Sequence, residues 1–173
     1  MLRYAYGKFS TSHEATIGGC FLTKNEDLGD YIVKYEMWDT AGQERYHSLA
    51  QMYYKNAIGA CVVFDVTSRE SFEKCQQWVK ELNEKAAADL RILIVGNKID
   101  LDGHQVSKDE ATDYARGLGL QYYEVSAKQD KGIEELFRDL AKKLPKESTN
   151  KKQNSLRNKK IEQVDQPQQG YCC

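Results

Sequence analysis

Arg91-Ile92-Leu93-Ile94-Val95-Gly96 runs straight into Asn97-Lys98-Ile99-Asp100, and the joining of these two segments decides how the chain folds. The first is a short apolar run with no polar face, as in a strand covered by helices on both sides. The second is a polar turn at that strand's carboxyl end. Working outward, Ala60-Cys61-Val62-Val63-Phe64-Asp65-Val66 is another such run, and Gln121-Tyr122-Tyr123-Glu124-Val125 is a third. Helical spacing fills the gaps between them. Ser71, Phe72, Cys75, Trp78, Val79 and Leu82 fall on one helical stripe. Ser107 precedes Lys108-Asp109-Glu110, an N-cap with a capping-box acid three residues on. Ile133, Leu136, Phe137, Leu140 and Ala141 mark one face of a helix over about 132–144. Earlier, residues 21–27 and 31–38 predict an antiparallel hairpin around Leu28-Gly29-Asp30. Strands alternating with helices predict an α/β fold: a doubly wound, mostly parallel sheet with helices on both faces.

The 173 residues suit one domain, with 40% hydrophobic and 29% charged residues, ordinary values for a globular chain. A formal net charge of −1 gives no overall basic bias toward nucleic acid. No apolar run approaches the roughly 18 residues of a membrane span, and residues 1–8 lack the apolar core of a signal peptide. The five cysteines, Cys20, Cys61, Cys75, Cys172 and Cys173, are odd in number and show no disulfide or zinc spacing. A reducing, cytosolic compartment fits that pattern. Composition changes at Pro145. Residues 1–145 read as the folded domain. Residues 146–173 hold too few apolar groups to offset ordering entropy, which predicts a flexible tail. Its net charge is +3, from Lys146, Lys151, Lys152, Arg157, Lys159 and Lys160 against Glu147, Glu162 and Asp165.

Ligands of open α/β sheets bind at the carboxyl ends of strands, where Asn97-Lys98-Ile99-Asp100 stands. The Asp100 carboxylate can accept two N–H bonds, from guanine N1 and its exocyclic amine; adenine offers no matching pair. Asn97 can hold the loop and reach N7, and the Lys98 stem can lie along the ring face. Taken alone, the tetrapeptide fits a polar turn equally well. Ser126-Ala127-Lys128 follows the next strand, and its backbone N–H groups can bond the guanine oxygen. Trp38-Asp39-Thr40-Ala41-Gly42-Gln43-Glu44 follows the hairpin. Asp39 can bind the water shell of Mg²⁺, Gly42 lets backbone N–H approach a terminal phosphate, and Gln43 can orient an attacking water. Thr16, in the loop before the hairpin, can ligate Mg²⁺ through its hydroxyl. Each segment has a plainer reading as a turn or a loop.

These four elements, in this order, resemble the Ras superfamily of GTPases. Ile17-Gly18-Gly19-Cys20-Phe21, residues 38–44 and Tyr53-Tyr54-Lys55-Asn56-Ala57 resemble Rab signatures. Residues 44–54 and Ala141-Lys142-Lys143-Leu144-Pro145 are most similar to the early-endosomal Rabs. The resemblance covers residues 1 to about 145. It implies a GTPase switch of vesicle traffic and early endosome fusion that binds GTP or GDP with Mg²⁺, with Gln43 catalytic. It also implies an aromatic triad of Phe21, Trp38 and Tyr53 touched by effectors; core packing is the plainer role for such side chains. Cys172-Cys173 match the Rab pattern of double geranylgeranylation. Effectors, an exchange factor, a GTPase-activating protein, a GDP-dissociation inhibitor and a prenylation escort protein are the implied partners of a monomer. Its implied place is the cytoplasmic face of the early endosome, in exchange with cytosol.

The family's phosphate-binding segment, G-x-x-x-x-G-K-[ST], is not found in these residues. Leu2 stands where its first glycine would be, and Phe9 follows the only Gly-Lys pair, Gly7-Lys8. Gly7 reads instead as a helix stop. By resemblance, the first strand and the phosphate loop would precede Met1. That strand would lie between the hairpin's second strand and the run at 60–66, so two unpaired strand edges are expected there. Losing several charge-assisted hydrogen bonds would cost on the order of 10 kcal/mol of nucleotide binding. The alternative is therefore a non-enzymatic pseudo-GTPase or membrane-anchored adaptor.

Overall fold

The computed structural model describes residues 1–11 and 15–144. It opens with α1 (Leu2–Tyr6), which stops at Gly7. Gly7 has φ 66°, a left-handed conformation that its missing Cβ permits, and its N–H closes the helix on Arg3 O at 2.9 Å. A hairpin follows, of β1 (Gly19–Asp27) and β2 (Ile32–Thr40). Its ladder runs from Gly19 opposite Thr40 to Asp27 opposite Ile32. Then come a single 3₁₀ turn (Glu44–Tyr46), α2 (His47–Tyr54), β3 (Gly59–Asp65) and α3 (Arg69–Lys85). The chain closes with β4 (Arg91–Asn97), α4 (Lys108–Gly117), β5 (Gln121–Glu124) and α5 (Ile133–Lys143).

β3, β4 and β5 form a parallel sheet in that order, with β4 central. Its run from Ile92 to Gly96 is buried throughout, as an apolar stretch without a polar face requires. Alternate side chains feed two cores. Ile92 and Ile94 join Val62, Phe64, Phe72, Val79 and Leu82 beneath α3 and α4. Leu93 and Val95 join Leu136, Leu140 and Ala141 of α5, and also Tyr4, Leu22, Tyr35 and Met37. Helices thus cover both faces. The expected cap forms, with Ser107 accepting from Glu110 N–H at 3.1 Å; Ser68, not anticipated from the sequence, caps α3 by accepting from Ser71 N–H at 3.3 Å.

The strands do not form one continuous sheet. The hairpin is a separate two-stranded sheet, and among the described residues no ladder joins β2 to β3. The break falls where the resemblance places an additional strand. Side chains bridge it instead. Tyr4 stacks on Phe137 with centroids 3.8 Å apart, and Tyr35 meets both rings edge-on at 5.7 Å. Tyr35 Oη donates to Phe137 O at 2.5 Å, and Tyr4 Oη donates to the buried Glu26 at 2.8 Å. Burial first, then Glu26 for Tyr4 and Cys61 and Glu26 for Tyr35, push both phenols far above their ordinary range, so they remain neutral donors.

α2 is not evident in the sequence. Its first turn has no side-chain cap, and Met52 and Leu49 point outward while Ala50 and Tyr54 are buried, so no apolar stripe marks it.

Candidate functional site

The carboxyl ends of β2 and β4 and the loop after β5 open on one cleft of about 560 Å³. At one end the residues expected to read a base are tied to one another. Ser126, fully buried, donates its hydroxyl to Asp100 Oδ1 at 2.5 Å and accepts from Gln129 N–H at 2.9 Å. Asn97 Oδ1 accepts the Ala127 N–H at 3.1 Å. Two loops far apart in sequence therefore become one frame. Lys98 has φ 67°, a left-handed backbone that costs a residue with a Cβ about 1–2 kcal/mol; strain of this kind collects at functional sites. Its ammonium lies 2.7 Å from Asp65 Oδ2. Burial alone would raise the Asp65 carboxyl, but Lys98 and the Thr67 donors outweigh it and hold it below the usual range.

Two further lining residues, Phe9 and Arg3, were not given a site role from the sequence. Phe9 lines the same cleft as Asp100 and Lys98 and is 40% exposed, which offers the cleft an apolar ring. Its only sequence signal is an aromatic in the polar stretch after the helix stop. Arg3 lines the cleft too and donates to carbonyls of the Ala127–Lys128 loop; no local pattern links residues 124 positions apart.

At the other end, Thr16 Oγ1 donates to Asp39 Oδ2 at 3.3 Å, and both residues line the cleft. This hydroxyl and carboxylate are hard oxygen donors side by side. Mg²⁺ takes one or two such protein ligands beside waters and phosphate oxygens, so the donor set fits it. A Cβ built on Gly42 would meet no protein atom within 4 Å, so the space beside its backbone is open. Gln43 does not line the cleft. Its Oε1 accepts from Arg45 Nε at 2.7 Å, and the side chain is exposed.

The hairpin register places Phe21 opposite Trp38. Their centroids lie 4.9 Å apart, and Trp38 stacks on Tyr53 of α2 at 4.7 Å. Phe21 is 44% and Trp38 48% exposed, so these rings form a surface rather than a core. Behind them Glu81 of α3 fastens α2: Tyr54 Oη donates to it at 2.8 Å and His47 Nε2 lies 2.7 Å away. Burial would raise the Glu81 carboxyl, but the Tyr54 and His47 contacts outweigh it and lower it. Burial and Glu81 together push the Tyr54 phenol up to about 12. The expected lipidation sites, Cys172 and Cys173, lie outside the described residues with the 146–173 tail.

Residues 1–146 match the model of the Ras family, and the chain belongs to that family. It is similar to Ras-related protein Rab-21 of Mus musculus, 48% identical over 145 residues that cover 83% of this chain and 65% of the mouse protein. Rab-21 of Homo sapiens is 47% identical over 83% of this chain and 64% of its own length, and Rab-21 of Geodia cydonium 45% identical over 83% and 63%. The chain thus spans just under two thirds of the length of the curated relatives it matches.

Proposed function

We infer that this chain is the guanine-reading and effector-facing body of a small GTPase that acts as a switch in vesicle traffic at the early endosome. The observation that carries this reading is the cross-tied pair of loops at Asn97–Asp100 and Ser126–Lys128, in one cleft with Thr16 and Asp39. In this reading Asp100 accepts from guanine N1 and the exocyclic amine, Phe9 and the Lys98 stem flank the ring, and Asn97 holds the frame. Thr16 ligates Mg²⁺ directly and Asp39 through water. The metal, when bound, neutralises charge on the phosphates. Gln43 orients the attacking water, which requires it to leave Arg45 and turn into the cleft. The GTP-bound form orders the loops around Thr16 and Gln43, and effectors read Phe21, Trp38 and Tyr53. An exchange factor, a GTPase-activating protein, a GDP-dissociation inhibitor and a prenylation escort protein serve the cycle. Lipids on Cys172 and Cys173 supply the two signals that stable anchoring takes.

Direct titration tests base choice. The 173-residue chain is expected to prefer guanine nucleotides over adenine, with hypoxanthine intermediate, and to retain no nucleotide through purification. Equal competition by ATP and GTP overturns the guanine reading. In a form of the protein that carries a phosphate loop, Gln43→Leu should slow hydrolysis and spare binding; unchanged turnover removes Gln43 from its role. Cell fractionation tests the anchor. A double Cys172→Ser, Cys173→Ser variant should be cytosolic, and one that still sediments with membranes excludes it.

One observation favours a second reading, a non-enzymatic adaptor. The aromatic surface is assembled by ring contacts between the hairpin and α2 alone, apart from the cleft. Effector capture that is indifferent to added guanine nucleotide would select it.

A further inference from the structure

Arg3 joins three parts of the cleft's base end. Its Nε donates to Ala127 O at 2.8 Å, one terminal nitrogen to Lys128 O at 3.1 Å and the other to Gly7 O at 2.6 Å. Its guanidinium carbon also lies 5.7 Å from the centroid of the Phe9 ring. The planar fork suits this task, because it fixes the direction of several donors at once. The loop it grips has one amide already spent: Ala127 N–H is taken by Asn97 Oδ1. Lys128 N–H has no hydrogen-bond partner among the described residues. Ala127 O and Lys128 N belong to the same peptide group. A cationic donor on that oxygen polarises the group and makes its N–H a stronger donor.

We propose that Arg3 is a positioning residue for the sixth position of the purine: it holds the 127–128 peptide so that Lys128 N–H serves the guanine carbonyl oxygen. This rests on the guanine reading above and deepens it. Asp100 reads the N1 and exocyclic amine edge. Arg3, acting through the loop backbone, reads the carbonyl edge. The two contributions are separable by choice of base.

Two measurements on the 173-residue chain test this. The first needs no nucleotide. Amide hydrogen exchange at residues 127–131 should rise roughly tenfold or more in Arg3→Ala, because charged donors leave the loop, while β4 amides are unchanged. Arg3→Lys, which keeps a charge but not the fork, should fall between the two and guards against a variant that fails to fold. The second is titration at millimolar ligand, comparing GTP with 6-thio-GTP, whose sulfur is a weak acceptor, and with ITP, which lacks the exocyclic amine. Wild type should favour GTP over 6-thio-GTP by about 3- to 10-fold, the worth of one neutral hydrogen bond. In Arg3→Ala that ratio should approach one, with the GTP to ITP ratio unchanged and Arg3→Lys intermediate.

Unchanged loop exchange in Arg3→Ala overturns Arg3 as the holder of the loop. An equal fall in both base ratios overturns the assignment to the carbonyl edge and leaves a general scaffold role. If no form binds any guanine nucleotide, the base-reading half falls with the reading it rests on, while exchange still decides whether Arg3 fixes the loop.

Discussion

The two ends of the cleft are built differently. At the base end, Asn97, Lys98, Asp100 and Ser126 each have a protein partner within 3.1 Å, and Ser126 is fully buried. At the other end, one exposed 3.3 Å contact joins Thr16 to Asp39, and Gln43 is turned to Arg45. The first end is shaped by the fold itself. Between the described residues named here, the second is tied more loosely, which leaves room for a ligand to add to its order. A fold can preorganise recognition of a rigid base and leave a mobile phosphate group to organise its own surroundings.

Base choice should show the largest effect. Asp100→Asn exchanges an acceptor for a donor, so preference should move from guanine toward xanthine nucleotides. Two charge-assisted bonds are involved, which sets the scale at about 100-fold or more. Competition titration with GTP and XTP measures it, and a Thr16→Ala variant that alters base preference equally would erase the distinction between the ends.

Stability should divide the same way. Ser126→Ala removes a buried donor to Asp100 and should cost about 1–3 kcal/mol in urea unfolding. Acid sensitivity comes next. Asp65 and Glu81 have lowered carboxyls, so their contribution is complete above the ordinary carboxylate range and is lost as pH falls through the folded values. Thermal midpoints should stay level from neutrality down to about pH 5 and drop below about pH 4. Lys98→Met should start that drop at higher pH, since Asp65 loses its cation; an unshifted acid limb would show that the pair is idle. The smallest effect belongs to the open end: Thr16→Ala should change unfolding free energy by less than about 0.5 kcal/mol. A loss matching that of Ser126→Ala would mean that this end is preorganised after all.

Most of the frame could be read from the residues. β4 is a continuous apolar run because both its faces are covered. The hairpin follows from residues placed on either side of Leu28-Gly29-Asp30. Ser107 and Gly7 mark helix ends through specific backbone chemistry. The residues proposed to read a base fall in two short runs, 97–100 and 126–128, so they were legible as motifs. Arg3 and Phe9 were not, because their meaning lies in a loop more than a hundred residues away that only folding brings near. Nor was α2, whose buried Tyr54 is held by Glu81 of another helix rather than by a periodic stripe of its own. The resting position of Gln43 was equally hidden, since its partner Arg45 looks like any surface charge.

With no ladder between β2 and β3 among the described residues, the molecule can open in its own way there. Where strands share hydrogen bonds, detaching one means unzipping a row of them. Here the hairpin can detach as an intact ribbon once its side-chain packing lets go: the Tyr4–Tyr35–Phe137 cluster, Leu22 and Met37 against Leu93 and Val95, and the Trp38–Tyr53 stack. Such an element is expected to open as a unit, at a lower free energy than the three-stranded sheet, which hydrogen exchange would show as weaker protection of β1 and β2 amides than of β4. A protease should therefore find the hairpin's flanks while β3, β4 and β5 are still folded, and a partner gripping Phe21 and Trp38 holds the element most easily drawn away from the rest.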